Sequence, residues 1–481
     1  MADDPCRLFA DEVRRRLPYE PNAQQSALVD ALSRFVCSGA PEPAFIVNGY
    51  AGTGKTSLTG ALVSALEAVG RKAILLAPTG RAAKVFSANS GGHAAFTVHR
   101  KIYRHTLGEG GATYGTPMPA ENRERDAVFI VDEASMIGAA DEHGVSLLHD
   151  LVQFVYTGAN CRLILLGDTA QLPPVGSERS PAMKPDILRS LGLKVSAATL
   201  TATARQAADS GILFNATRLR RTMAACTADG ADAAQVPLPR LRAPMHGVTV
   251  VDPADLPELL SAAYGADGLE NTILITRSNR RAAEYNAAIR GSVLYREEEI
   301  SRDDMLIVAK NHYFRRRTAG MDFIANGDMV TVEKVYGTEV RYGLRFADVR
   351  LRVGDGEPFD IKIILDTLSS AEAAMGQEQW QNLYNGILND NERFGDTPPS
   401  ERLGTLRSDP YWNALQVKYG YAVTCHKAQG GQWANVFVDL AYIPADALGV
   451  TLYRWLYTTV TRARSRLYLI APPDELMEQG K

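Results

Sequence analysis

The stretch Gly49-Tyr50-Ala51-Gly52-Thr53-Gly54-Lys55-Thr56 limits what this chain can fold into more than any other. It follows a short apolar run, Ala44 to Val47, and opens a helix-forming segment, Ser57 to Ala68. A buried strand, a glycine-rich turn and a helix N-terminus together make an anion cradle. Amide N–H groups in the turn point inward, the helix dipole favours negative charge, and the glycines let the backbone close around the anion. Lys55 is placed to reach the β- and γ-phosphates of a nucleoside triphosphate, and the Thr56 hydroxyl to ligate Mg²⁺. Gly49, Gly52, Thr53 and Gly54 complete the nucleotide-binding set. Glycine-rich loops also arise by chance, but here the spacing and both flanks agree.

At 481 residues the chain has room for roughly two to four domains. Its composition, 46% hydrophobic and 22% charged, is that of an ordinary globular protein. The net charge of −3 announces no nucleic-acid partner, yet a translocating enzyme needs only a local basic groove. The cysteines (Cys6, Cys37, Cys161, Cys226, Cys425) are scattered, without zinc or iron–sulfur spacing, which fits a reducing compartment. An acidic start, Met1-Ala2-Asp3-Asp4, and no apolar run near the ~20 residues of a membrane span predict a cytoplasmic protein with no membrane partner.

Short apolar runs alternate with helical segments: Ala44–Val47, Ala73–Ala77, Val128–Val131 and Leu163–Leu166, then again Thr272–Thr276, Val436–Leu440 and Leu467–Ala471. This predicts an α/β protein with two doubly wound parallel-sheet domains in tandem. Two stretches interrupt the pattern. Residues 102–126 are rich in Gly, Pro and charge, and read as a small hairpin or a loop. Residues 338–366 alternate apolar and polar around a Gly354-Asp355-Gly356 turn, which predicts an antiparallel β-meander inserted in the second domain.

Three strand ends carry chemistry. Val128 to Val131 leads into Asp132-Glu133, where Asp132 would hold Mg²⁺ and Glu133 would orient or activate the attacking water. Surface acids often end strands; the preceding P-loop gives this pair its meaning. Leu165-Leu166-Gly167-Asp168 leads into Gln171, placed to hydrogen-bond the γ-phosphate or its water before the rigid Pro173-Pro174 turn. Cations come from the rest of the chain. Arg205 and Arg462 are candidates for stabilising transition-state charge from a second domain, although surface arginines are common enough that spacing alone does not show it.

With Gln24, Ala77-Pro78-Thr79-Gly80-Arg81, Thr97-Val98-His99, Asp132-Glu133-Ala134-Ser135-Met136, Gly167-Asp168-Thr169-Ala170-Gln171-Leu172-Pro173-Pro174-Val175-Gly176, Arg205-Gln206, Thr424-Cys425-His426-Lys427-Ala428-Gln429-Gly430 and Val460-Thr461-Arg462-Ala463-Arg464 in order, the chain resembles a superfamily 1 DNA helicase of the 5′→3′ branch, RecD/Dda-like. The resemblance runs from Gln24 to Arg464, nearly the whole chain.

It implies two RecA-like domains, 1–197 and 198–337 with 415–481, a strand-separating pin at about 102–126, and an SH3-like accessory insertion at 338–414. It further implies ATP and Mg²⁺ as cofactors. Gln24, or Gln25 in the alternative register, would read adenine, and Arg205 and Arg462 would reach the γ-phosphate across the interdomain cleft. Thr79, Arg81 and His99 on one domain, with Thr424, His426 and Lys427 on the other, would touch single-stranded DNA; Gln429 and Gly430 would couple closure to that grip. Phe96, Tyr103 and Trp433 are candidates for base stacking, with packing the commoner fate of such residues.

The expected partners are single-stranded DNA and forked duplex DNA, with single-strand-binding, replication or repair proteins as candidates. The expected activity is ATP-dependent 5′→3′ translocation with strand separation. Translocation that displaces proteins with little unwinding, and movement on RNA, stay open. A P-loop kinase would leave Gln171 and the second α/β half without a purpose.

Overall fold

The computed structural model describes residues 4–104, 118–140, 145–203, 210–228, 236–318, 321–395, 406, 409–443 and 448–478. Helices α1 (Pro5–Arg15) and α2 (Ala23–Cys37) precede strand β1 (Pro43–Gly49), and α3 (Lys55–Ala68) follows it. Then come β2 (Ala73–Ala77), α4 (Gly80–Asn89), β3 (Ala95–Thr97), α5 (Val98–Ile102) and the short strands β4 (Tyr103–Arg104) and β5 (Met118–Pro119). Strand β6 (Val128–Val131), α6 (Leu147–Thr157), β7 (Arg162–Gly167), α7 (Pro185–Ser190) and β8 (Lys194–Leu200) complete the first domain.

Its sheet is parallel throughout, in the order β3-β2-β6-β7-β1-β8. Alternate residues of each strand enter opposite cores, Phe45 and Val47 one layer, Ala44 and Ile46 the other. A continuous apolar run is what a strand covered on both faces requires. The order also sets the tips of β1, β7 and β6 side by side.

The second domain begins with α8 (Gly211–Ala228), β9 (Val248–Val251), α9 (Leu256–Asp267), β10 (Thr272–Thr276) and α10 (Asn279–Ala288). The chain then leaves for β11 (Met305–Val308), the hairpin β12 (His312–Thr318) and β13 (Met321–Ile324), β14 (Met329–Arg341), β15 (Leu344–Arg352), β16 (Phe359–Ile364), α11 (Gln377–Leu388), α12 (Asn391–Phe394) and β17 (Leu415–Tyr419). It returns through β18 (Ala422–Thr424), α13 (Cys425–Ala428), β19 (Trp433–Asp439), α14 (Val450–Val460) and β20 (Ala463–Ile470). The second sheet, β18-β10-β19-β20-β9, is again all parallel.

Strands β11, β14, β15, β16 and β17 close into a barrel. The alternating stretch at 338–366 supplies its antiparallel meander, while strands at Met305–Val308 and Leu415–Tyr419 extend it beyond 338–414 at both ends. Its interior is continuous with one face of the second sheet: Leu306, Val349 and Ile363 share a core with Leu274 and Phe437. Asp304, fully buried, pins that junction by accepting from Arg290 (2.9 Å), Arg296 (2.6 Å) and the Tyr421 hydroxyl (2.7 Å). On the outside of the barrel, α11 makes a separate small core with Phe346, Leu383, Ile387 and the Trp380–Trp412 pair.

Within 102–126, β4 and β5 pair antiparallel, Tyr103 opposite Pro119 and Arg104 opposite Met118. Residues 105–117, most of the expected pin, lie outside the described residues. Among the described residues no helix is long and apolar enough to cross a membrane.

Candidate nucleotide site and interdomain cleft

The chain leaves β1 at Gly49, turns through Gly52 (φ +72°) and Gly54 (φ +79°), and starts α3 at Lys55. Left-handed backbone at two positions in three residues is what glycine permits. Gly54 is also confined, since a Cβ there would lie 2.4 Å from the Tyr19 hydroxyl and 2.5 Å from Gln25 Nε2. Gln25 is buried, donates from Nε2 to Thr53 O (2.9 Å), and closes the capping box of α2 with Asn22. Gln24, exposed and one residue earlier, faces the exit of β8, where its Oε1 accepts from Thr201 N and Ala202 N, both at 2.9 Å. Gln25 therefore touches the P-loop, and Gln24 the chain beside it.

The acids converge on the same place. Surrounding protein pushes the Asp132 carboxyl above its ordinary range, with Lys55 opposing and Glu133 adding to the push. Asp168, buried at the tip of β7, is pushed up by burial and again opposed by Lys55. Lys55 thus sits within electrostatic reach of both strand tips. Glu133 holds a left-handed backbone (φ +52°, ψ +33°), a conformation that costs a non-glycine residue about 1–3 kcal/mol and is tolerated where function needs it. Its Oε2 and the Oε1 of Gln171 are both buried without a hydrogen-bond partner among the described residues.

Two orphaned acceptors beside a lysine and a glycine cradle suit a ligand that brings donors or a cation. A triphosphate with hydrated Mg²⁺ is such a ligand, and the residues present fit it. Thr56, exposed at the first turn of α3, and Asp132 would hold the ion.

The second domain reaches into this site. Gln429 Nε2 donates to Leu172 O (2.7 Å), and Leu172 N donates to Thr458 Oγ1 (2.8 Å). The Tyr457 hydroxyl accepts from Ala51 N (2.9 Å) and donates to Asp168 Oδ2 (2.6 Å). Arg454, on the same helix, donates to Glu178 O (2.7 Å), and Leu213 of α8 packs on Gly52. Arg462 is buried and bound within its own domain, from Nε to Thr458 O (3.0 Å) and from Nη1 to Gly431 O (3.1 Å). Arg205 lies outside the described residues.

The expected DNA-contacting residues fall on three helix starts, of which those of α4 and α13 lie close together. Thr79 caps α4 by accepting from Ala82 N (3.2 Å), and a Cβ on Gly430 would lie 3.3 Å from its hydroxyl. Arg81 stacks on the Trp433 ring at 3.8 Å, its pKa lowered to about 10 by burial and by neighbouring Arg464 and Arg462. Trp433 and Tyr103 are buried, so both serve packing in this arrangement. His99 is half-buried on α5, and burial lowers its pKa. On the second domain, Thr424 precedes α13, His426 is exposed, and half-buried Lys427 has its pKa lowered by burial.

Comparison with known proteins agrees with this layout. Residues 21–235 match the family model of an AAA domain, and residues 419–470 that of a UvrD-like helicase C-terminal domain. The ATP-dependent RecD2 DNA helicase of Deinococcus radiodurans is 28% identical over 442 residues, covering 88% of this chain and 46% of that protein. The chain is thus similar to superfamily 1 helicases of the RecD-like kind. It therefore spans about half the length of that curated relative.

Two solved structures of Pif1 helicases are also similar. One, from Bacteroides in complex with ADP-AlF3 and ssDNA, has 15% identity and a TM-score of 0.46, over 96% of this chain and 95% of that one. The other, from Candida albicans, has 15% identity and a TM-score of 0.44, over 96% and 97%.

Tyr457, Thr458 and Arg454 are cleft residues that the sequence analysis did not single out. Tyr457 stands three residues before the quoted Val460-to-Arg464 stretch, and its partners lie far away in sequence. The period of α14 was the available signal: Arg454, Tyr457 and Thr458 fall on one helical face, three and four residues apart.

Proposed function

We propose that this chain couples ATP hydrolysis to 5′→3′ movement on single-stranded DNA and to separation of duplex strands. The observation that carries the reading is the grip of the second domain on the loop after β7. Leu172 is held at both its carbonyl and its amide, by Gln429 and Thr458, and Gln171 is its neighbour. Gln429 in turn closes the Thr424-to-Gln429 segment that is expected to touch DNA. A change at the hydrolysis site is therefore mechanically tied to the DNA grip.

In this mechanism Lys55 and the P-loop amides bind the triphosphate, with adenine read beside the Gln24–Gln25 pair. Thr56 and Asp132 would hold Mg²⁺, which would neutralise charge at the phosphates. Glu133, left with an unpartnered oxygen, accepts from the attacking water, and Gln171 orders that water or the γ-phosphate. Arg205 and Arg462 stabilise the charge that develops, and Arg462 must exchange its bonds to Thr458 O and Gly431 O to do so. That exchange would release Gly431, which packs on Arg81, and so carry the nucleotide state to the DNA face.

Thr79, Arg81, His99, Thr424, His426 and Lys427 hold the strand through its phosphates and sugars, without sequence readout. Grip must alternate between the two domains as the cleft opens and closes. The 102–126 segment parts the duplex, and the barrel belongs to the second moving body. The resemblance to the RecD-like branch supports the 5′→3′ polarity.

The test is ATP hydrolysis with and without single-stranded DNA, in wild type and in Lys55→Ala. Hydrolysis stimulated by DNA and lost in Lys55→Ala, with DNA binding retained, supports the reading. Stimulation that survives Lys55→Ala contradicts the site assignment, and stimulation by RNA alone would change the track.

A further inference from the structure

Tyr457 lies buried in α14 of the second domain, yet both hydrogen bonds of its hydroxyl go to the first domain. It accepts from the P-loop amide of Ala51 at 2.9 Å and donates to Asp168 Oδ2 at 2.6 Å. The other oxygen of that carboxylate accepts from Ala170 N at 2.9 Å, and Asp168 O accepts from Gln171 N at 3.3 Å. One hydroxyl thus joins the tip of β1, the tip of β7 and the turn that carries Gln171. Its neighbour Thr458 and the facing Gln429 hold the next residue of the same turn, Leu172.

We propose that Tyr457 is a positioning residue for ATP hydrolysis: through it the closed second domain sets the P-loop and Gln171 in one arrangement, and opening the cleft releases both. The proposal rests on the ATP-hydrolysing function above. A buried hydroxyl that only filled space would be satisfied by groups of its own helix or sheet. This one instead completes two first-domain elements, each of which separately ends in a residue expected to touch the phosphates. Removing it leaves a half-buried amide and a buried carboxylate oxygen short of a partner, while the ring keeps its packing. Burial pushes Asp168 above the ordinary carboxylate range, and the hydrogen bond from Tyr457 opposes that push.

The test compares Tyr457→Phe, Asp168→Ala and the double variant in two readouts. Amide hydrogen exchange of the P-loop peptide, without nucleotide, reports whether Tyr457 holds Ala51. We expect exchange there to rise at least tenfold in Tyr457→Phe, with no comparable change in α9, which is remote from the cleft. Hydrolysis with single-stranded DNA should lose about tenfold in kcat with KM for ATP within about twofold. The double variant should lose no more than about twofold beyond the worse single. Unchanged P-loop exchange, or losses in the two single variants that multiply in the double, would overturn the proposal. The exchange readout needs no hydrolysis. An inactive wild type would sink the functional reading while exchange still decided whether Tyr457 holds the P-loop.

Discussion

Gln429 of the second domain donates from Nε2 to Leu172 O, 2.7 Å away and one residue beyond Gln171. Gln429 is itself buried, so this bond has no water to replace it. Gln429→Ala is therefore expected to reduce DNA stimulation of hydrolysis by about tenfold while leaving KM for ATP within about twofold. Steady-state hydrolysis titrated with single-stranded DNA measures both. A uniform loss with and without DNA would show that Gln429 supports only the fold.

Glu133 presents a different expectation, because its buried Oε2 is without a hydrogen-bond partner among the described residues and its backbone is left-handed. Glu133→Gln keeps the shape and removes the acceptor strength needed to draw on a water proton. Hydrolysis should fall by roughly 10²-fold or more, with nucleotide affinity preserved. Equilibrium binding of a fluorescent ATP analogue, set beside kcat, separates the two effects.

Gly80 and Asp328 meet where α4 of the first domain abuts the loop before β14. A Cβ on Gly80 would lie against the Asp328 carboxylate, so Gly80→Ala must displace that carboxylate or the helix even though alanine suits a helix better. The expected cost is about 1–3 kcal/mol of stability, seen as a lower Tm. In an Asp328→Gly background the same substitution should cost less, and a double-mutant cycle in thermal unfolding reads the difference.

Asp328 also gives a pH signature. Burial raises its pKa from 3.8 to about 6, opposed by Arg81 and by the amide of Ala325. Because the folded value is the higher one, the neutral form favours folding. That contribution is fully present below pH 3.8 and is lost as pH rises through about 6. Asp328→Asn stays neutral, so its Tm relative to wild type should rise between about pH 4 and pH 6.5 and then level off. A Tm difference that does not change across this range would contradict the assignment.

Much of this was legible in the sequence, and what was not has identifiable causes. The P-loop, Asp132-Glu133 and Gln171 lie at strand ends, and a continuous apolar run broken by glycine or acid marks such an end locally. The meander was equally local, since Leu344 to Val353 alternates. Met305–Val308 is harder: four consecutive apolar residues buried in a barrel read like a parallel-sheet strand. Neighbouring residues Gln24 and Gln25 could not be ordered because adjacent positions on α2 point about 100° apart, one to Thr53 and the other to Thr201. The Tyr457–Ala51 contact joins positions some four hundred residues apart and leaves no periodic trace.

The central claim is that the cleft between the two sheets turns ATP hydrolysis into strand separation with 5′→3′ polarity. Its most direct test is unwinding of forked DNA carrying either a 5′ or a 3′ single-stranded tail, with ATP and Mg²⁺. The account predicts separation from the 5′-tailed fork, none from the 3′-tailed fork, and none in Lys55→Ala. Separation from the 3′ tail, or DNA-stimulated hydrolysis with neither fork opened, would contradict it.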